Sequence, residues 1–215
     1  MTIAHHPIDE TLAAFVSGAL DEPASLVVAA HLTLCADCRR VVRTWETAGG
    51  VLLERLAPTP LADGALEAVL SRLDTDEAPR AKQAAERRSV ARLDAIALIA
   101  PYAKRPWRSI GGGVRMRTID VPGETDNRLF LLQAAGGTRL PHHKHTDREW
   151  TYVLEGAFRH EHGRYGPGDF DEADDTVEHY PVVEPERPCI CLVAMRGEIV
   201  LQGWLGRLLQ PFVRL

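Results

Sequence analysis

The apolar residues of this chain change their spacing once, and that change limits what the chain can fold into. Up to about residue 79 they recur three and four apart, as on one side of a helix. Beyond Trp107 they fall into short alternating or apolar runs, VRMRTIDV, RLFLLQA, EWTYVLEG, AFRHEHG and CICLVAM. These are broken by GGG, PGE, GG, GPGD and EPERP, the pattern of strands and turns in a sandwich or barrel. Between the two blocks, TDEAPRAKQAAERRSV is charged and alanine-rich with little to bury, so the domain boundary falls there. The expected organisation is a helical domain over 1–79, a basic linker over 80–105 and an all-β domain over 106–215.

Four helices are expected in the first block. Asp9 caps a run with Leu12, Ala13, Phe15 and Val16 on one side, and Gly18 closes it. After Asp21, with Pro23 in the first turn, SLVVAAHLTLC gives a mostly buried second helix. A third runs from about Asp37 through RRVVRTWETAGGVLLERL, weakened near its middle by Gly49 and Gly50 and stopped by Pro58 and Pro60. Asp63 caps a short fourth, ALEAVLSRL, with Leu66, Val69, Leu70 and Leu73 on one face.

Charge is uneven along the chain. Residues 1–79 carry 5 Lys/Arg against 12 Asp/Glu, and residues 80–105 carry 7 against 2. An acidic helical segment is a poor phosphate binder and suits a basic protein surface better than nucleic acid. Apolar runs fall far short of the roughly 20 residues a membrane span needs. The start, MTIAHHPIDE, has neither the basic region nor the apolar core of a signal peptide, so a cytoplasmic protein is expected. In that compartment two close cysteine pairs, Cys35 with Cys38 and Cys189 with Cys191, point to metal or redox chemistry rather than a disulfide framework.

HLTLCADC, residues 31–38, is the first constellation. Taken as a continuing helix, offsets of 4 and 7 residues turn about 400° and 700°, which puts His31, Cys35 and Cys38 within roughly 60° of one another. Thiolate and imidazole suit zinc, and the N-terminal arm offers His5 and His6 as the fourth ligand. His6 adjoins Pro7 and the first helix, although spacing alone does not separate the two. A dithiol redox role normally needs a strand before the CxxC, and plain core packing leaves the in-register histidine unexplained. Metal is the favoured reading.

The second constellation is GTRLPHHKHTDREWTYVLEG, residues 137–156, which spaces its key residues as Gx5HxHx3Ex6G. His143 and His145 share a strand face, and Glu149 returns to it at the start of the next strand. His179, ten residues after the Gly168–Asp169 turn, is the fourth candidate. Three imidazoles and a carboxylate suit zinc, iron, manganese or nickel. His142, His160 and His162 are read as polar surface, and Cys189 and Cys191 as core, because a disulfide between residues two apart on a strand is strained.

The pattern of residues 137–156 resembles the first cupin motif, which implies a jelly-roll barrel with His143, His145, Glu149 and His179 as ligands. DEADDTVEH departs from the second cupin motif in lacking the proline and glycine before its histidine. Taken whole, the chain resembles the ChrR-type zinc-binding anti-sigma factors. The resemblance rests on HH at 5 and 6, SLVVAAHLTLCADC, WRSIGGGVR at 107–115, the HxH and E of 143–149, LEGAFR at 154–159, EH at 178 and 179, CICL at 189–192 and QPFVRL at the C-terminus. It implies an all-α zinc-binding anti-sigma domain, with His6, His31, Cys35 and Cys38 holding zinc, followed by an all-β cupin domain holding a second zinc or other divalent ion. It further implies a one-to-one complex with an extracytoplasmic-function sigma factor, released on oxidative stress from singlet oxygen or organic hydroperoxides.

Two rivals stand against this. A cupin dioxygenase or isomerase would use the same three histidines and glutamate around an open metal position, but leaves the N-terminal constellation without a role. A zinc-dependent DNA-binding regulator conflicts with the net charge of the helical segment.

Overall fold

A computed structural model describes residues 3–73, 95–123 and 127–201. Its helices are α1 (Asp9–Val16), α2 (Glu22–Leu34), α3 (Ala36–Glu54), α4 (Ala65–Leu73) and α5 (Ala95–Leu98). Asp21 caps α2 as expected, its carboxylate accepting from Ala24 N at 2.9 Å, with Pro23 in the first turn. Asp9 is not the cap of α1. Ile8 is, in extended conformation, and the carboxylate at that end comes from Glu172, which accepts from Ile8 N at 2.8 Å and from the Thr11 hydroxyl at 2.6 Å. Gly49 and Gly50 lie inside α3, which runs through them without a break.

The strands are β1 (Ala103–Lys104), β2 (Arg108–Gly111), β3 (Val114–Asp120), β4 (Asn127–Ala134), β5 (His143–His145), β6 (Glu149–Glu155), β7 (Phe158–His160), β8 (Gly163–Tyr165), β9 (Phe170–Ala173), β10 (Glu178–His179), β11 (Val182–Val183), β12 (Cys189–Arg196) and β13 (Ile199–Leu201). Seven form one antiparallel sheet in the order β1-β3-β4-β12-β6-β9, with β2 added beside β3. Two three-stranded sheets, β10-β5-β13 and β11-β7-β8, make the rest of the barrel.

The central strands of the large sheet, β4, β12 and β6, are buried on both faces, and this fixes how the two blocks of sequence meet. Along β12, Cys189, Cys191, Val193 and Met195 join Phe130, Val153 and Phe158 in the barrel core. The intervening Leu192 and Ala194 join Leu129, Leu131, Trp150 and Tyr152 in a second core with Leu12, Val27, Val28 and Val42 of the helices. A strand buried on both sides must be apolar at consecutive positions, which is what NRLFLLQA and CICLVAMR are. Helices α1, α2, α5 and the start of α3 are therefore a layer on the outer face of the sheet. Arg196 in β12 adds an ion pair to the α2 cap residue Asp21 at 2.9 Å, and the Tyr102 hydroxyl donates to Glu22.

The segment expected as linker divides in two. Residues 80–94 lie outside the described residues, as does the C-terminal QPFVRL. Residues 95–104 are not solvated linker: α5 sets Ala95 and Ile99 into the helix–sheet core and β1 pairs with β3. The physical reason is the apolar run AIALIA, which a reading weighted by the surrounding charge passes over. By contrast α4 buries nothing, and Leu66, Val69, Leu70 and Leu73 are all exposed. No described helix is long and apolar enough to cross a membrane.

Candidate metal centres

Donor atoms of His6, His31, Cys35 and Cys38 lie within 4.8 Å of one another. They do not sit on one continuous helix. Cys35 is extended (φ −82°, ψ 106°) and serves as C-cap of α2 and N-cap of α3, so the chain turns there and brings Cys38 back toward His31. Cys38 N donates to the Cys35 thiol at 3.4 Å, the pattern of an N-cap made by sulfur. His31 Nε2 stands 3.3 Å from the Cys38 sulfur, and His6 Nδ1 stands 3.3 Å from Cys35 and 3.4 Å from Cys38. A tetrahedral ion with bonds of about 2.1 Å to nitrogen and 2.3 Å to sulfur separates neighbouring donors by about 3.6 Å, so the set fits with small adjustment.

The electrostatics agree. Burial pulls His31 down to about 4, against the upward pull of the Gly168 carbonyl, and so holds the ring neutral. Burial also pushes the Cys38 thiol up to about 12, with Cys35 beside it adding to the shift. A bound divalent cation reverses that penalty, because it is the positive charge the crowded sulfurs lack. His31 Nδ1 lies 3.0 Å from Gly168 O, which assigns the proton to that nitrogen and leaves the Nε2 lone pair toward the sulfurs. His5 takes no part. Its ring stacks on Tyr165 with centroids 4.1 Å apart.

The second group is His143, His145 and His179. On β5 the alternation turns His143 and His145 inward and Lys144 out, and pairing of β10 with β5 sets His179 opposite His143. The Nε2 atom of His179 is 3.0 Å from that of His143 and 3.2 Å from that of His145. His143 Nδ1 donates to Pro141 O at 2.7 Å, leaving its Nε2 as a lone pair. Burial pulls His145 down to about 4 and His179 to about 3, with His143 lowered for the same reason. Nδ1 of His145 and of His179 are buried without a hydrogen-bond partner among the described residues. Three imidazoles that burial keeps neutral, with their Nε2 atoms converging, offer the donors a divalent cation needs, so this group also fits a metal.

Glu149 stands beside this group rather than in it. One carboxylate oxygen accepts from the Thr151 hydroxyl at 3.1 Å and the other lies 3.8 Å from His145 Nδ1. Burial pushes it up to about 7, partly offset by His143. His160, expected on the surface, is half-buried with its side chain turned inward: the ring bonds Asp171 at 3.0 Å and forms with Asp171 and His179 a further set of close donors. His142 is exposed and pairs with Glu178 at 3.3 Å, and His162 is exposed, as expected.

His143, Glu149, Asp171 and His179 edge a cavity of about 520 Å³ inside the barrel, lined for the most part by apolar side chains such as Phe130, Leu132, Leu140 and Ile199, with Arg139 among the polar ones. Cys189 and Cys191 are free, buried thiols in its wall with their sulfurs 3.7 Å apart, in keeping with core packing. The bond to Cys189 and then burial hold the Cys191 thiol well above its ordinary range.

Comparison with known proteins covers both halves of the chain. Residues 97–197 match the family model described as the ChrR cupin-like domain. The anti-sigma-E factor ChrR of Cereibacter sphaeroides is 41% identical over 221 aligned positions that span 100% of both chains. The crystal structure of Rhodobacter sphaeroides SigE in complex with the anti-sigma factor ChrR contains a chain 39% identical to this one. That match covers 90% of this chain and 100% of the other, with a TM-score of 0.75.

Proposed function

This chain belongs to the ChrR family of anti-sigma factors, and from that premise we propose that it binds an extracytoplasmic-function sigma factor one-to-one in the cytoplasm and holds it inactive until oxidative stress. Its role is regulatory, which sets aside the dioxygenase and isomerase readings.

The observation that carries the binding role is the unpartnered apolar face at the end of the helical segment. Leu52 and Leu53 at the end of α3, Leu56 and Leu61 in the connection, and Leu66 and Leu73 of α4 are each more than 60% exposed. Exposed leucines in number, within an N-terminal segment that carries 12 Asp/Glu against 5 Lys/Arg, are what a partner surface needs and what a free surface avoids. His6, His31, Cys35 and Cys38 would hold zinc at the base of α3. Zinc there supplies a fixed cross-link with no redox chemistry of its own. The four residues tie the N-terminal arm, the end of α2 and the start of α3 to one point, which sets the direction in which α3 leaves the core.

In the barrel, His143, His145 and His179, with Glu149 close by, would hold zinc or another divalent ion. The apolar cavity beside them suits a small, weakly polar oxidant such as an organic hydroperoxide, which is the reason to place stress sensing there.

Co-expression pull-down of the full chain with the host's extracytoplasmic-function sigma factors tests the proposal. One of them is expected to copurify, and Cys35→Ala is expected to lower its retention at least about tenfold together with one equivalent of zinc. A full chain that retains no sigma factor, or a Cys35→Ala variant that represses normally, overturns it.

A further inference from the structure

We propose that the turn Gly166–Asp169 between β8 and β9 is the outer shell of the first metal centre: Asp169 positions the arm that carries His6, and the Gly168 carbonyl positions His31. The inference rests on reading His6, His31, Cys35 and Cys38 as metal ligands. It adds that two of those four ligands are held in place by the barrel rather than by the helices.

Asp169 is buried, and each oxygen of its carboxylate is used. Oδ1 accepts from Ala4 N at 2.7 Å and from His5 N at 3.0 Å, and Oδ2 accepts from Gly166 N at 2.8 Å within the turn. Phe170 N donates to His5 O at 3.2 Å, so His5 is held through both its N–H, by the Asp169 carboxylate, and its C=O, by the first residue of β9. The His5 ring completes the grip: it stacks on Tyr165 and rests against Gly163, where an added Cβ would stand 3.2 Å from His5 Cε1. His6 is itself exposed and precedes α1. It is bracketed by Asp169 at residues 4 and 5 and by Glu172 at residue 8.

The other half of the clamp is Gly168 O, 3.0 Å from His31 Nδ1. Gly168 has φ +91°, a conformation that side chains disfavour, and its own N–H bonds Val153 O at 2.9 Å. The carbonyl is thus aimed at His31 by a turn anchored in the sheet. An outer-shell acceptor of this kind fixes the tautomer and orientation of a ligating imidazole, and losing one costs roughly 10–100-fold in metal affinity.

Tyr165, the last residue of β8 before this turn, also approaches the second centre. Tyr165 stacks on His160 at 4.8 Å, and His160 lies 5.1 Å from the ring of His179. A chain of ring contacts thus runs from the residue that opens the turn to the second group of donors.

Cobalt(II) titration of the full chain tests the clamp, because a thiolate-to-cobalt charge-transfer band reports the Cys35–Cys38 centre separately from the imidazole centre. The wild-type chain is expected to show the band. Asp169→Ala is expected to weaken cobalt binding at that band about 10–100-fold while binding at the imidazole centre stays within about twofold. Asp169→Asn, which keeps an acceptor for the arm, is expected to recover part of the loss. Should Asp169→Ala fail to fold, Ala4→Pro decides: it removes one N–H donor from an exposed residue and is expected to weaken the band at least about fivefold. Folded variants with unchanged affinity at the band overturn the clamp. A wild-type chain without the band overturns the ligand reading beneath it.

Discussion

His31 shows how one buried side chain is prepared for a cation. Its Nδ1 is occupied by Gly168 O, its Nε2 faces sulfur, and burial pulls it down to about 4. His145 and His179 are lowered likewise, to about 4 and about 3. A folded-state value below the unfolded one means that between about pH 4 and 6.5 the unfolded chain binds more protons, so stability rises with pH across that window. Glu149, raised to about 7, works the other way from its ordinary value of 4.5 upward, since the folded state keeps a proton that the unfolded chain has released. Each such group contributes about 1.4 kcal/mol per pH unit, and the histidines outnumber the glutamate. The metal-free protein is therefore expected to melt at a lower temperature at pH 5 than at pH 7, and thermal melts in chelator at the two values check the sign. An equal or higher melting temperature at pH 5 would place the histidines in a more solvated setting. HxH and CxxC are legible in the sequence because their geometry is local, two residues on a strand and three around a cap. His160 is not, since its partner Asp171 stands 11 residues away across a hairpin and RHEHG alone reads as a wet strand.

At the scale of elements, the contrast is between α2 and α4. The first is sunk between the sheet and the other helices with Val27, Val28 and Ala24 fully buried, and the second buries no residue. A nine-residue helix with an open apolar face gains little from propensity alone, so α4 is an element waiting for a surface. Leu66→Glu with Leu70→Glu is expected to weaken sigma-factor binding about tenfold or more, as loss of apolar anchors at an interface does. The same change should move the stability of the free chain by less than about 0.5 kcal/mol, because both side chains are already in water. Competition binding and thermal melts measure the two effects, and unchanged affinity would take α4 out of the interface. Most elements follow from sequence where the signal is adjacent: Asp21 three residues before Ala24, or Gly18 at the end of α1. The exceptions have causes far away in sequence. The cap of α1 depends on Glu172, 164 residues from Ile8, and the turn at Cys35 belongs to a fold in which four donors meet rather than to the helix period.

For the whole molecule, the sheet is the common wall of two cores. The apolar runs of β4 and β12 read as strands of a sandwich or barrel, and nothing in that reading says that helices from the other end of the chain cover the outer face. That arrangement separates the two metal groups by role. The first sits where helices meet the β8–β9 turn, whereas His143, His145 and His179 lie on β5 and β10, strands that contribute nothing to the helix–sheet core. Removing a ligand on that wall leaves Leu129, Leu131, Trp150 and Leu192 packed against α2 as before. His143→Ala is therefore expected to bind and inhibit the sigma factor within about twofold of the unaltered chain, while losing the barrel metal through one of its three converging imidazoles. If stress is sensed in the barrel, the same variant should release the sigma factor much more weakly when cells meet an organic hydroperoxide or singlet oxygen. A sigma-dependent reporter with and without the oxidant, read beside the metal content of the purified complex, separates the outcomes. Lost inhibition would mean that the barrel wall supports the helices after all, and an unaltered response would remove the barrel metal from sensing.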